Sequence, residues 1–111
     1  MRKREIDAIV AKALEFEYIV AGNGQVYYKT AQGGCELFAP TESWKSMGVL
    51  VEEAKKKGIY LMFEHNEDGY HGQAWRDNWS PHVDPCNEAP LAVTLAFLQT
   101  QGVYISGMDL T

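Results

Sequence analysis

The apolar positions of this chain change period several times, and each change marks an element. Between 4 and 14 they fall at Ile6, Ile9, Val10, Ala13 and Leu14, with Arg4, Asp7 and Lys12 off the stripe. Steps of three and four residues gather one helical face, so this stretch predicts an amphipathic helix lying on something flat. FEYIVA (16–21) and QVYYKT (25–30) are instead rich in β-branched and aromatic residues, and they flank Gly22-Asn23-Gly24. Gly and Asn tolerate the positive φ of tight turns, so these runs predict a β-hairpin. CELFA (35–39), after the break at Gly33-Gly34, is a candidate third strand.

A helical period returns at Trp44, Met47, Val51 and Ala54. Thr41 or Ser43 can cap that helix, and KKKG (55–58) ends it with cations in the last turn and Gly beyond. IYLMF (59–63) is short and unbroken in its apolarity, the pattern of a central strand buried on both faces. A polar turn at 66–69 leads to a further strand, YHGQAWR (70–76). The stretch 87–102, with Pro90 near its first turn and LAVTLAFL apolar nearly all round, predicts a deeply buried last helix. VYI (103–105) is a candidate edge strand, and 106–111 reads as a loose tail. The order α-β-β-β-α-β-β-α predicts an α/β (α+β) fold, a three-layer α-β-α sandwich with a mainly antiparallel sheet and about three helices. All 111 residues then form a single domain.

Composition narrows the function. At 46% hydrophobic and 23% charged, the chain is that of an ordinary globular protein. A net charge of -5 argues against binding duplex nucleic acid, which needs a basic face for the phosphates. One basic pocket can still hide in an acidic average, and the basic residues cluster at 2–4 and 55–57. No apolar run approaches the roughly 20 residues that span a bilayer. The basic start runs directly into a charged amphipathic helix rather than a signal sequence. A cytoplasmic protein without membrane partners is therefore expected, and its two cysteines, Cys35 and Cys86, are expected to be buried or idle thiols rather than a disulfide.

Candidate chemistry concentrates in YHGQAWRDNWSPHVDPC (70–86). His71, His82, Asp84 and Cys86 are metal-ligating types, but their spacing matches no established site, so no metal is expected. Neither cysteine has the local signature of a nucleophile. Glu64, Glu67, Asp68, Asp77 and Asp84 are carboxylates near the same strands, with Glu64 the leading acid/base candidate. GNG (22–24) and QGGC (32–35) lack the spacing of a phosphate loop and are better turns. The strongest pattern is aromatic. On a strand, Tyr70, Gly72 and Ala74 share one face while His71, Gln73 and Trp75 share the other. Small residues on the first face suit packing under a helix. A row of His, Gln and Trp suits a surface that stacks a planar ring and hydrogen-bonds its edge, with Arg76 available for phosphate. The expected ligand-binding set is Tyr70, His71, Gln73, Trp75, Arg76, Trp79 and His82, extended by Tyr27, Tyr28 and Tyr60. No catalytic residue and no cofactor are expected.

Three segments, REIDAIVAKAL, FAPTESWKSMGVLVEEAKKKG and APLAVTLAFLQTQGVYI, resemble the phage ABA sandwich domain family of small phage and prophage proteins. Its members share an acidic EIDxxVA-like helix, an FxP-[ST] step into a second helix, and a final APLAxxLAxLxxxGV helix. The resemblance implies the layered fold and a viral origin, in the cytoplasm of an infected bacterium. The family defines no catalytic residues, so none carry over. A phage setting implies an accessory factor acting on the host. The leading expectation is a homo-oligomeric, non-enzymatic protein that sequesters a small nucleotide-like immune signal. The alternatives are an inhibitor binding a host defence protein, or a structural accessory, and third a nucleotide-signal hydrolase using His71, His82 and Glu64 or Asp84.

Overall fold

In the computed structural model, which describes residues 2–77, 80 and 84–105, the expected alternation of helices and strands forms in order. Helix α1 is Lys3–Ala13, and strands β1 (Tyr18–Val20), β2 (Val26–Lys29) and β3 (Cys35–Leu37) follow. Helix α2 is Trp44–Lys56, strands β4 and β5 are Tyr60–Asn66 and Gly69–Trp75, and helix α3 is Ala89–Thr100. The fold is thus mixed α+β with three helices and antiparallel strands, as the periodicity predicts. Its radius of gyration of 13.3 Å is that of one compact globule, about 13 Å for this length.

The strands divide into two sheets, where one was expected. β1-β2-β3 form an antiparallel meander, and β4-β5 a separate hairpin. Segment 103–105 adds no strand to either. Local chemistry explains the turns. Asn23 Oδ1 accepts the Gln25 N–H at 3.0 Å in the first hairpin. In the second, Asn66 Oδ1 accepts the Asp68 N–H at 2.8 Å. Ser43, one of the two expected caps, accepts the Ser46 N–H at 3.1 Å and starts α2.

The core is organised around α3, in which every residue but Gln99 is buried. α3 packs on β5 and β4, α2 packs on α3 and β4, and α1 lies over β1 and β2. Phe38, Leu50, Phe97 and Leu98 are fully buried, each worth about 2 kcal/mol in apolar surface removed from water. The inner face of β5 is small because α3 lies directly on it. A Cβ at Gly72 would stand 2.0 Å from the Ala92 carbonyl oxygen, so no other residue fits there.

Two sequence expectations are corrected. β4 is not buried on both faces: Tyr60 and Met62 are 54% and 44% exposed, while Leu61 is buried. Its continuous apolarity reflects one core face and one apolar outer face. Asp7 is not on the solvent side of α1; it is 3% exposed. Its Oδ1 accepts the Thr41 N–H at 3.1 Å and the Thr41 hydroxyl at 2.9 Å. Nearby, Thr94 Oγ1 lies 2.9 Å from the Pro40 carbonyl oxygen and 2.7 Å from that of Pro90. The FAPT stretch (38–41) therefore ties α1 to α3 through buried polar contacts. Among the described residues no buried side-chain polar atom lacks a partner.

Candidate functional site

The β4-β5 register determines which side chains can act together. Tyr60 pairs with Trp75, Met62 with Gln73, and Glu64 with His71. Directly opposed residues project to the same face, so these six share the outer face of the hairpin. Leu61, Phe63 and His65, opposite Ala74, Gly72 and Tyr70, share the inner one. The outer face is open: Trp75 is 47% exposed beside the exposed Tyr60 and Met62. At its end Gly58, Tyr60, Trp75, Arg76 and Asp77 line a hollow of about 270 Å³.

The expected site residues separate accordingly. His71, Gln73 and Trp75 are brought together in a row, and Tyr60 extends them from β4, as expected. Tyr70 lies on the opposite face. Its ring meets Phe63 edge-on at 5.9 Å and lies 5.7 Å from the His65 ring. It cannot stack a ligand jointly with Trp75, because alternation turns neighbouring strand positions away from each other. Tyr27 and Tyr28 belong to the other sheet. Tyr28 stacks on Phe16 at 4.8 Å and meets Phe38 edge-on at 5.6 Å, so it is part of the core margin. Trp79 and His82 lie outside the described residues.

Each polar member of the row has a distinct state. Among the described residues, the Gln73 side-chain amide makes no hydrogen bond within the protein, so both its donor and acceptor are open to a ligand. His71 Nε2 lies 3.2 Å from Asn66 Oδ1, an oxygen that only accepts, so Nε2 is the donor in this bond. Arg76 Nη1 donates to the Thr100 carbonyl at 3.2 Å. That bond holds the guanidinium at the C-terminal end of α3, where a cation is favoured, and leaves its other N–H groups. Asp77 stands beside it in the hollow with φ of 49°.

The two thiols do not assemble with this face. Cys35 and Cys86 are free thiols, and Cys35 is exposed rather than buried. Burial, and then the nearby Asp84, push the Cys86 thiol above its ordinary pKa, which disfavours the thiolate a nucleophile needs. The Cys86 backbone exchanges hydrogen bonds of 2.8 and 2.9 Å with Tyr70. That bridge stitches the loop after β5 to the start of the strand, and a Cβ at Gly69 would meet the Cys86 carbonyl at 2.5 Å. Among the described residues no three His, Cys, Asp or Glu side chains gather as a metal site. No helix among them is long and apolar enough to cross a membrane.

The buried carboxyl of Asp7 was missed by periodicity. Burial raises its pKa from 3.8 to about 6, while the Thr41 hydrogen bonds pull it back and Glu42 adds to the rise. The only sequence signal was an acid one turn from the apolar stripe's edge.

No family model and no curated protein sequence matches this chain. A solved structure does: a phage protein from Bacillus cereus ATCC 14579 superposes with a TM-score of 0.68. The two are 13% identical, over 96% of this chain and 93% of that one. Such a likeness extends over the whole domain and is a likeness of fold.

Proposed function

We propose that this is a non-enzymatic phage accessory protein that captures a small nucleotide-like ligand on the outer face of β4-β5. The observation that carries the reading is the pairing of Tyr60 with Trp75 beside Arg76 at a hollow of about 270 Å³. Two exposed rings stack a base, which is worth about 1–3 kcal/mol per base. The free Gln73 amide and His71 hydrogen-bond the base edge, and the remaining Arg76 donors meet a phosphate. Asp77 accepts from ribose hydroxyls or an exocyclic amine. A phage setting draws support from the phage protein of like fold and from the resemblance to the phage ABA sandwich family. In that setting the ligand is a host immune nucleotide and capture silences it.

A second reading rests on Met62, which carries the exposed apolar row beyond the hollow at 44% exposure. A row longer than one base suits a protein partner, in which Trp75 and Tyr60 are the anchoring residues. The test is to incubate purified protein with lysate from bacteria whose nucleotide-based defence has been triggered. Bound small molecules are then released by heat and identified by mass spectrometry. Intact nucleotide from the native protein, absent with Trp75→Ala, is expected. A cleaved nucleotide would transfer the reading to hydrolysis. No nucleotide from the native protein would overturn capture in favour of the protein partner.

A further inference from the structure

A further cavity lies away from the β4-β5 face. It is a groove of about 650 Å³ between α1 and the β1-β2 turn, lined by Arg2, Arg4, Glu5, Ala8, Ile9, Val20 and Gly22 to Gly24. Its walls differ in character. Ala8, Ile9 and Val20 form an apolar wall, and Val20 remains 54% exposed. Arg2 and Arg4 stand at the other end with Glu5.

The charge at that end exceeds what the helix dipole favours, although Glu5 lies in the first turn. Cations in the first turn of a helix oppose the positive end of its dipole, and carboxylates are the favoured residues there. α1 nevertheless opens Arg2-Lys3-Arg4, and its N-cap residue Arg2 makes no side-chain capping bond. Lys3 is paired with Glu88 at 3.5 Å. Among the described residues, neither arginine is paired with a carboxylate, although lysines at 3, 29, 45, 56 and 57 all are. Arg4 Nη1 donates to the Asn23 carbonyl, which fixes its side chain over the turn. Arg2 makes no side-chain bond among the described residues. Glu5 in the first turn and Glu88 opposite Lys3 offset part of this charge, and a local rule broken in the remainder points to a functional position.

We infer that this groove is a second ligand site, which takes a small organic anion. Its carboxylate or phosphate head is held by the Arg2 and Arg4 guanidinium groups, and its apolar body lies along Ala8, Ile9 and Val20. From Arg2 to Ile9 the helix rises roughly 10 Å, enough for a medium-length chain or a ring system. The volume is within the roughly 300–1,000 Å³ of small-molecule sites. The groove belongs to different elements from the β4-β5 face, so it stands or falls independently of the proposed nucleotide capture.

The test titrates ¹⁵N-labelled full-length protein with octanoate, octan-1-ol and inorganic phosphate, following backbone amide shifts by NMR. Octanoate is expected to shift Ala8, Ile9, Gly22 and Gly24 saturably, at least tenfold more tightly than either octan-1-ol or phosphate. Arg2→Gln, which removes no side-chain hydrogen bond or ion pair among the described residues, should weaken octanoate about tenfold, and Glu5→Gln should tighten it. Trp75→Ala should change nothing here. Equal binding of octan-1-ol would reduce the site to apolar contact, and equal binding of phosphate to charge alone. Either result, no binding, or an Arg2→Gln variant with native affinity would overturn the inference.

Discussion

Replacing Asp7 by asparagine tests how the first helix is held to the core. Asp7 is 3% exposed and accepts two hydrogen bonds from Thr41. Its carboxyl pKa is raised from 3.8 to about 6, first by burial. A native pKa above the unfolded one means that the folded chain holds the proton more tightly. The stabilisation is therefore complete below the unfolded pKa of 3.8 and is lost as pH rises through about 6. The full span is worth about 3 kcal/mol, at about 1.4 kcal/mol per pH unit. The substituted amide cannot ionise, and its carbonyl oxygen can still accept both bonds from Thr41. Urea unfolding of native protein and Asp7→Asn between about pH 4 and about pH 7 isolates this group, since the other carboxylates titrate in both. The variant should gain on the native protein by ~2 kcal/mol across that range. Parallel curves would refute a buried Asp7 and with it the docking of α1 on the 38–41 segment.

Other perturbations report on separate contacts. Gly72→Ala places a methyl group 2.0 Å from the Ala92 carbonyl oxygen, which must separate α3 from β5 and cost about 3 kcal/mol or more. An unchanged urea midpoint would refute that packing. Ser43→Ala removes the cap of α2 and should cost about 1 kcal/mol in chemical denaturation; no loss would mean that the cap bond to Ser46 is not made. Trp75→Ala should leave the midpoint within about 0.5 kcal/mol, because the ring is 47% exposed. A larger loss would show that Trp75 serves the core rather than a ligand.

Much of the architecture was legible because periodicity is a local property. The stripes of α1 and α2, the mostly apolar α3 and the Gly-Asn-Gly turn each follow from residues a few positions apart, and each formed. Alternation along 70–75 likewise separated the Gly72-Ala74 face, which lies under α3, from the His71-Gln73-Trp75 face. What misled was burial inferred from apolarity alone. IYLMF looks like a strand enclosed on both sides, yet only tertiary packing decides that Leu61 meets the core while Tyr60 and Met62 meet solvent.

The amino-acid order by itself determined the kind of each element, the two hairpins and the small-residue face under the last helix, since neighbouring backbone and side-chain preferences set these. It could not determine that the strands form two sheets, because hydrogen bonding between distant strands depends on how helices fill the space around them. It could not join Asp7 to Thr41, or Arg2 and Arg4 to Val20 and the Gly22 to Gly24 turn. Those groups stand too far apart along the chain for any spacing to signal them. Folding α1 across the β1-β2 hairpin brings them within reach, and the free energy of a buried carboxyl or an open cationic groove exists only once that packing is made.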